Sequence, residues 1–174
     1  MNSSITTDLK LYDNAIRVIK SVKYLNLATV TSEGKPWNTP VFCSYNDALH
    51  FHWLSWKENQ HSVNVEHNPN VFATLYDSSV PEGTGFGVYF EGIAHRIENI
   101  PELAQALVGH YGRSNKKVRA TKLFLTSYPR RAYAFVPTRA WVNGDSLIMK
   151  QFIDVRHELD LTILKQKLTE SFKK

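Results

Sequence analysis

Apolar residues early in the chain fall on Leu11, Ala15, Val18, Ile19 and Val22. Steps of three and four put them on one face, so residues 8–23 are expected to form an amphipathic helix packed on a larger body. After Lys23 the period shortens to two. Residues 25–31 (LNLATVT) alternate and are rich in β-formers, Ser32-Glu33-Gly34-Lys35 has turn chemistry, and residues 36–45 (PWNTPVFCSY) resume an extended pattern. Two strands joined by a tight turn are expected. Pro36 and Pro40 cannot donate to a ladder, which places the second strand at an edge or a bulge.

Asn46-Asp47 marks the next turn, and residues 48–56 read as a third strand with His50, His52 and Leu54 on one face and Phe51, Trp53 and Ser55 on the other. A short polar helix follows, with Asn59 placed to cap it and Asn68-Pro69 to stop it. Residues 71–76 form a fourth strand, residues 77–85 (DSSVPEGTG) a loop, and residues 86–97 a fifth strand in which Gly87 and Gly92 suit a bulge or a close approach. Asn99-Ile100-Pro101-Glu102 is a helix start, with Leu103, Ala106, Leu107 and His110 as its buried stripe and Gly112 at its end. Between Arg113 and Pro129 only Leu123-Phe124-Leu125 stands out, as an apolar anchor. Residues 131–143 are a sixth strand, broken at Pro137 and ended by a turn at Asn143-Gly144-Asp145; a terminal helix over about 160–170 carries Leu161, Leu164 and Leu168.

Six strands in antiparallel succession, with helices inserted rather than alternating, predict a mainly β (α+β) protein: a closed barrel, its strands over about 25–97 and 131–143, with peripheral helices. The full 174 residues suit a single domain. A hydrophobic content of 43% beside 21% charged residues excludes a disordered chain. No apolar run is long enough to span a bilayer and the opening MNSSITTDLK lacks a signal-peptide layout, so a cytoplasmic protein without a membrane partner is expected. The single cysteine, Cys43, excludes a disulfide framework and a multi-cysteine zinc site, and reads as a small buried residue. The net charge of +5 comes mostly from scattered residues; its densest runs, RSNKKVRATK from Arg113 and the tail KQKLTESFKK, read as solvated faces.

The stretch that carries chemistry is the corner between the third strand and the short helix. Lys57, Asn59, Gln60, His61 and Ser62 sit there, where first-turn N–H groups lack helical partners and can bind an anion such as a phosphate. Gly83-Thr84-Gly85-Phe86-Gly87 fails as a dinucleotide loop because a strand follows it rather than a helix. His50 and His52 share a strand face, but no third ligand at a telling spacing makes a metal site of them, and no nucleophile-elbow sequence accompanies the serines. Basic residues beside aromatics such as Trp56 allow a barrel that binds single-stranded nucleic acid, a reading ranked below a small-molecule site.

Taken in order, LATVTSEGKPWNTPVF, FHWLSWKENQHSVNVEHNP and VYFEGIA resemble the pyridoxamine 5'-phosphate oxidase-related FMN-binding split-barrel family, with a weaker echo at Ala140-Trp141-Val142-Asn143. The resemblance implies a six-stranded split barrel forming a homodimer, with FMN held at the subunit interface. It places flavin contacts on Asn38, Thr39, Pro40 and Val41 of the second strand and on Leu54 and Ser55 of the third, and the phosphate-binding pair on Gln60 and His61, with Asn59 just before them. Trp141 matches an aromatic that reaches the partner's flavin. With these residues a phosphate at the corner would meet helix N–H groups, the Ser55 hydroxyl, the His61 imidazole and Lys57.

Two departures bear on the reaction. Gln60 stands where relatives often carry arginine, so either the affinity for FMN is lower or Lys57 substitutes. Arg156 and His157 are adjacent, whereas true pyridoxamine phosphate oxidases hold their substrate with an arginine and a histidine one residue apart, and Cys43 or a neighbour replaces an expected lysine. Vitamin B6 oxidation is therefore not expected. The resemblance implies an FMN-dependent oxidoreductase acting on a small molecule or taking electrons from one, with no acid or base assignable; the alternatives are a non-catalytic carrier or sensor of flavin, deazaflavin or haem, for which His50, His52 and His110 are candidates, and the nucleic-acid-binding barrel.

Overall fold

The computed structural model describes residues 5–126, 128–148 and 151–173. Helix α1 (Leu9–Ser21) starts at Asp8, whose side chain accepts from the Lys10 N–H, and it buries Tyr12, Ala15, Val18 and Ile19. The carbonyls at its C-terminal end have no helical N–H to meet; the guanidinium of Arg113 donates to those of Ile19, Lys20 and Val22 instead. The strands are β1 (Tyr24–Val30), β2 (Pro36–Tyr45), β3 (Phe51–Trp56), β4 (Asn70–Tyr76), β5 (Gly87–Arg96), β6 (Arg130–Ile148) and β7 (Gln151–Leu159). Helix α2 (Gln60–His67) joins β3 to β4, α3 (Ile100–Arg113) lies between β5 and β6, and α4 (Leu161–Ser171) follows β7.

The strands pair antiparallel in the order β3-β2-β1-β4-β5-β6, and β6 returns to pair with β3, closing the expected six-stranded barrel. Its interior, with Leu25, Leu27, Phe51, Trp53, Leu75, Phe90 and Phe135, forms one core with the inner faces of α1 and α4. Helix α2 closes the other end with His61, Ser62, Asn64 and Val65. Helix α3 packs outside the barrel; Leu103, Ala106 and Leu107 meet Ala132, Ala134 and the buried ring of Phe124 from a 3-10 turn at Thr121–Leu125. Of the anchor residues Leu123, Phe124 and Leu125, Phe124 is the buried one.

The close approach expected at Gly92 is present: a Cβ there would stand 2.2 Å from the Val136 carbonyl oxygen and 2.8 Å from the Pro137 Cα. Opposite it β6 has one residue too many, Thr138, so the break expected at Pro137 is a bulge through which the strand continues.

The expected turn at Asn143-Gly144-Asp145 is not one. β6 runs through it to Ile148 and pairs with β7, a strand that the hydrophobic pattern did not announce. The turn-like residues serve close packing: the Asn143 side chain donates to the Gly85 carbonyl at 3.1 Å and accepts from the Gly87 N–H, and Gly144 makes room for the ring of His157, which a Cβ would meet at 2.6 Å. Among the described residues no helix is long and apolar enough to cross a membrane.

Candidate functional site

β2 pairs with β1 from Pro36 to Phe42 but with β3 only at Cys43, Ser44 and Tyr45. Beyond Trp53, β3 keeps only β6 as a neighbour, so the barrel wall parts between residues 36–42 and the end of β3. Along this stretch the outer edge of β2 has no strand partner among the described residues, and Pro36 and Pro40 sit where an edge tolerates them. Asn38 and Pro40 are exposed, Thr39 is half-buried with its hydroxyl accepting from the Trp37 indole at 3.0 Å, and Val41 turns into the core.

At the end of β3 successive side chains diverge, as strand geometry requires. Ser55 points inward under α2, where its hydroxyl is bonded to Nε2 of His61 at 2.8 Å and accepts from the Asn59 amide at 2.9 Å. Burial holds the His61 imidazole below its ordinary pKa, and therefore neutral. Asn59 stands at the N-cap of α2, yet its side chain serves Ser55 and makes no cap bond. Gln60 begins a second chain of bonds, donating to Asn64, which donates to Thr29, whose hydroxyl donates to the Trp37 carbonyl on β2.

The groups left for a ligand at this corner are main-chain donors and an ammonium. The Ser62 and Val63 N–H groups reach the Asn59 carbonyl, whereas those of Gln60 and His61 have no acceptor among the described residues. Lys57 is exposed and lies 3.5 Å from Glu58. Two free N–H groups and an ammonium beside an open strand edge suit a phosphate with a flat ring attached.

Trp141 is not part of this corner within one chain. Arg131 of β6 pairs with Ser55, and the strand from Arg131 to Trp141 is roughly 33 Å long at the usual rise per residue. Trp141 instead lies in an outer layer, stacked on Phe72 at 6.1 Å with the Arg139 guanidinium 4.6 Å above it. Arg156 covers Tyr89 at 4.1 Å in the same layer, while His157 meets Gly144 on the opposite face of β7, so the adjacent pair is not presented to one ligand.

Leu54 points the other way from Ser55, into a cleft of about 620 Å³ between the parted strands and the end of α3. Tyr24, Phe42, His110 and Tyr111 form its aromatic walls, and Lys23, Arg113, Lys116, Lys117, Arg119 and Arg130 border it with no carboxylate among its lining residues. Sequence reading treated RSNKKVRATK as a solvated face; its position directly after a helix that lies on the sheet was the available signal.

Burial, with Arg130 and Lys116 adding to it, pushes the His110 imidazole down to about 4. His52 is pushed down to about 4 by burial under α3, and His50 is lowered for the same main reason. Burial pushes the Cys43 thiol up to about 11, which keeps it protonated and unreactive. Among the described residues no group of three or more His, Cys, Asp or Glu is placed to hold a metal ion.

Several solved structures share the fold. A haem-binding protein from Mycobacterium smegmatis superposes with a TM-score of 0.61 at 20% identity over 83% of this chain, which spans only 57% of that protein. A protein from Clostridium acetobutylicum related to general stress protein 26, of the pyridoxinephosphate oxidase family, gives 0.59 at 11% identity over 86% of this chain and 96% of its own. An F420 reductase gives 0.53 at 20% identity, covering 71% and 93%. No curated protein matches the sequence. The model of the pyridoxamine 5'-phosphate oxidase family matches residues 13–135, which include the parted strands, the corner and α3, and the chain belongs to that family.

Proposed function

We propose that this chain is an FMN-binding flavoprotein, an oxidoreductase that exchanges electrons with a small molecule and works as a homodimer. The observation that carries the reading is the unpartnered edge of β2 from Pro36 to Phe42 beside the free N–H groups of Gln60 and His61. FMN, when bound, supplies the electron chemistry. The chain's residues would do the rest. Main-chain groups at Asn38, Thr39 and Pro40 position the ring edge-on; Val41, Leu54 and the buried Ser55–His61 pair keep the strand end and helix start at a set separation; Lys57 and the first-turn N–H groups take the phosphate.

The distance of Trp141 from the corner is what makes the dimer part of the reading, since only a second copy could bring that ring to the flavin. A rival of the same fold is a haem carrier. One observation favours it: His110 borders a cationic cleft with its ring held neutral, the form that ligates a metal, whereas His52 is buried beneath α3.

Denaturing the purified protein and identifying the released chromophore tests these readings together. FMN, one per chain, from a protein that elutes as a dimer is the expected result. Released haem would replace the reading with the carrier, and colourless protein that takes up neither added FMN nor haem would end both.

A further inference from the structure

A row of residues in register crosses the outer face of the sheet: Ser44 of β2 pairs with His52 of β3, His52 with Ala134 of β6, and Ala134 with His95 of β5. Helix α3 packs over this row, on β2, β3 and β6. Its backbone comes close at Gly109, where a Cβ would stand 3.2 Å from Ser44 Oγ. Ser44 and His52 are each 2% exposed, and neither Ser44 Oγ nor Nε2 of His52 has a hydrogen-bond partner among the described residues. Polar atoms buried in this state weaken the contact that covers them, because water would satisfy them.

Glu102 is the one carboxylate of α3, and both its oxygens are engaged. Oε2 accepts from the Asn99 amide at 2.6 Å, and Oε1 lies 3.5 Å from Nε2 of His95. Burial is the largest influence on His52 and pushes its ring down to about 4; Glu102 works against that shift, and His50 and His95 add to it. Asp47 and Lys165 in turn face His50. A proton placed on His52 beneath the helix therefore meets two more imidazoles and a carboxylate that is already shared.

The apolar residues of α3, among them Leu103, Ala106 and Leu107, belong to a core of their own with Ile97, Phe124, Ala132 and Ala134, apart from the one inside the barrel. The helix can leave the sheet without opening the barrel. Arg113 fixes its last turn to the carbonyls of α1. Its first turns are tied by exposed contacts, Asn46 to Gln105 at 3.2 Å and His95 to Glu102.

We infer that α3 is an acid-released flap: its first turns lift from the sheet when His52 takes up a proton, with the barrel folded beneath and Arg113 as the anchor. The lift opens Ser44 and His52 to water and shifts the helix that supplies His110 and Tyr111 to the wall of the cleft. It does not depend on which cofactor the chain holds. The covered ring binds its proton near 4 and an exposed one near 6.5, so closure is complete above about 6.5 and weakens as pH falls toward 4.

Hydrogen exchange of the full-length protein, followed by peptide mass spectrometry at pH 7 and pH 5 and corrected for the intrinsic rate at each pH, tests the inference. Protection over residues 102–109 should fall about twentyfold between the two, the ratio that proton uptake by one such ring gives, while β1 and β5 lose about twofold or less. In His52→Gln the fall over α3 should shrink to about threefold or less, and in His50→Gln and His95→Gln it should stay at about tenfold or more. An equal fall over α3, β1 and β5 in the natural chain would overturn the inference, and that comparison needs no variant. So would a full-sized fall in a His52→Gln protein with native circular dichroism, or one that disappears in His50→Gln or His95→Gln.

Discussion

The hydroxyl of Ser55 lies 2.8 Å from Nε2 of His61, and both residues are almost fully buried, at 4% and 5% exposure. The pair ties the end of β3 to the first turn of α2, with Asn59 completing the serine's bonds. A polar pair in this position fixes how the end of β3 meets the start of α2.

Removing one member leaves the other buried and short of a partner. Ser55→Ala and His61→Ala should each cost about 1–3 kcal/mol in urea unfolding. The double variant should cost less than the sum by about 0.5 kcal/mol or more, because the residues share one bond. Additive losses would show that the contact carries no coupling.

Gly92 is held by space and Gly34 by backbone conformation. A methyl group at Gly92 would meet main-chain atoms at 2.2 and 2.8 Å, which can yield only if β5 and β6 separate at the bulge. Gly92→Ala should therefore lose about 1–3 kcal/mol or fail to fold. Gly34 has open space but a φ of +79°, so Gly34→Ala should lose only about 1–2 kcal/mol from backbone strain. Equal unfolding midpoints for the two variants would contradict this ordering.

The buried imidazole of His52 gives stability a dependence on pH. Its folded pKa is near 4 against an ordinary 6.5, so the unfolded chain binds the proton first. The stabilising contribution is complete above about 6.5 and is lost as pH falls toward 4. Urea midpoints measured from pH 7 to 4 should decline less steeply for His52→Gln than for the natural chain. Parallel profiles would mean that other groups set the dependence.

By the family resemblance Gln60 stands where relatives often carry arginine, and its amide is engaged with Asn64 at 2.8 Å. If the phosphate of FMN sits at this corner, Gln60→Arg should tighten FMN by about tenfold through a charge-assisted contact, at a small cost in stability from the lost bond to Asn64. Fluorescence titration of the flavin measures it. Unchanged affinity would indicate that Lys57 already fills that role.

Where sequence reading worked, it worked on neighbours along the chain. The two faces of β3 followed from alternation: Phe51 and Trp53 are inside, and His52 lies under α3. Asn99 caps α3 as its position suggested, accepting from the Glu102 N–H at 2.8 Å. It failed at Asn143-Gly144, where turn-forming residues lie inside a strand because contacts with Gly85, Gly87 and His157 use their small size and amide. It also read the basic run after α3 without the hollow that the run borders.

The sequence by itself determined the six-stranded barrel, the order along the chain of its strands and of the helices, though not β7, and the place of the corner, because hydrophobic period, capping residues and turn residues act over a few positions. Only the tertiary structure decided that β2 and β3 part beyond the Cys43–Trp53 pair, that Ser55 and His61 spend their polar atoms on each other, and that lysines and arginines from separate segments border one cleft. Those outcomes depend on which distant residues meet when the sheet closes, and chain closure sets distances that no local pattern encodes.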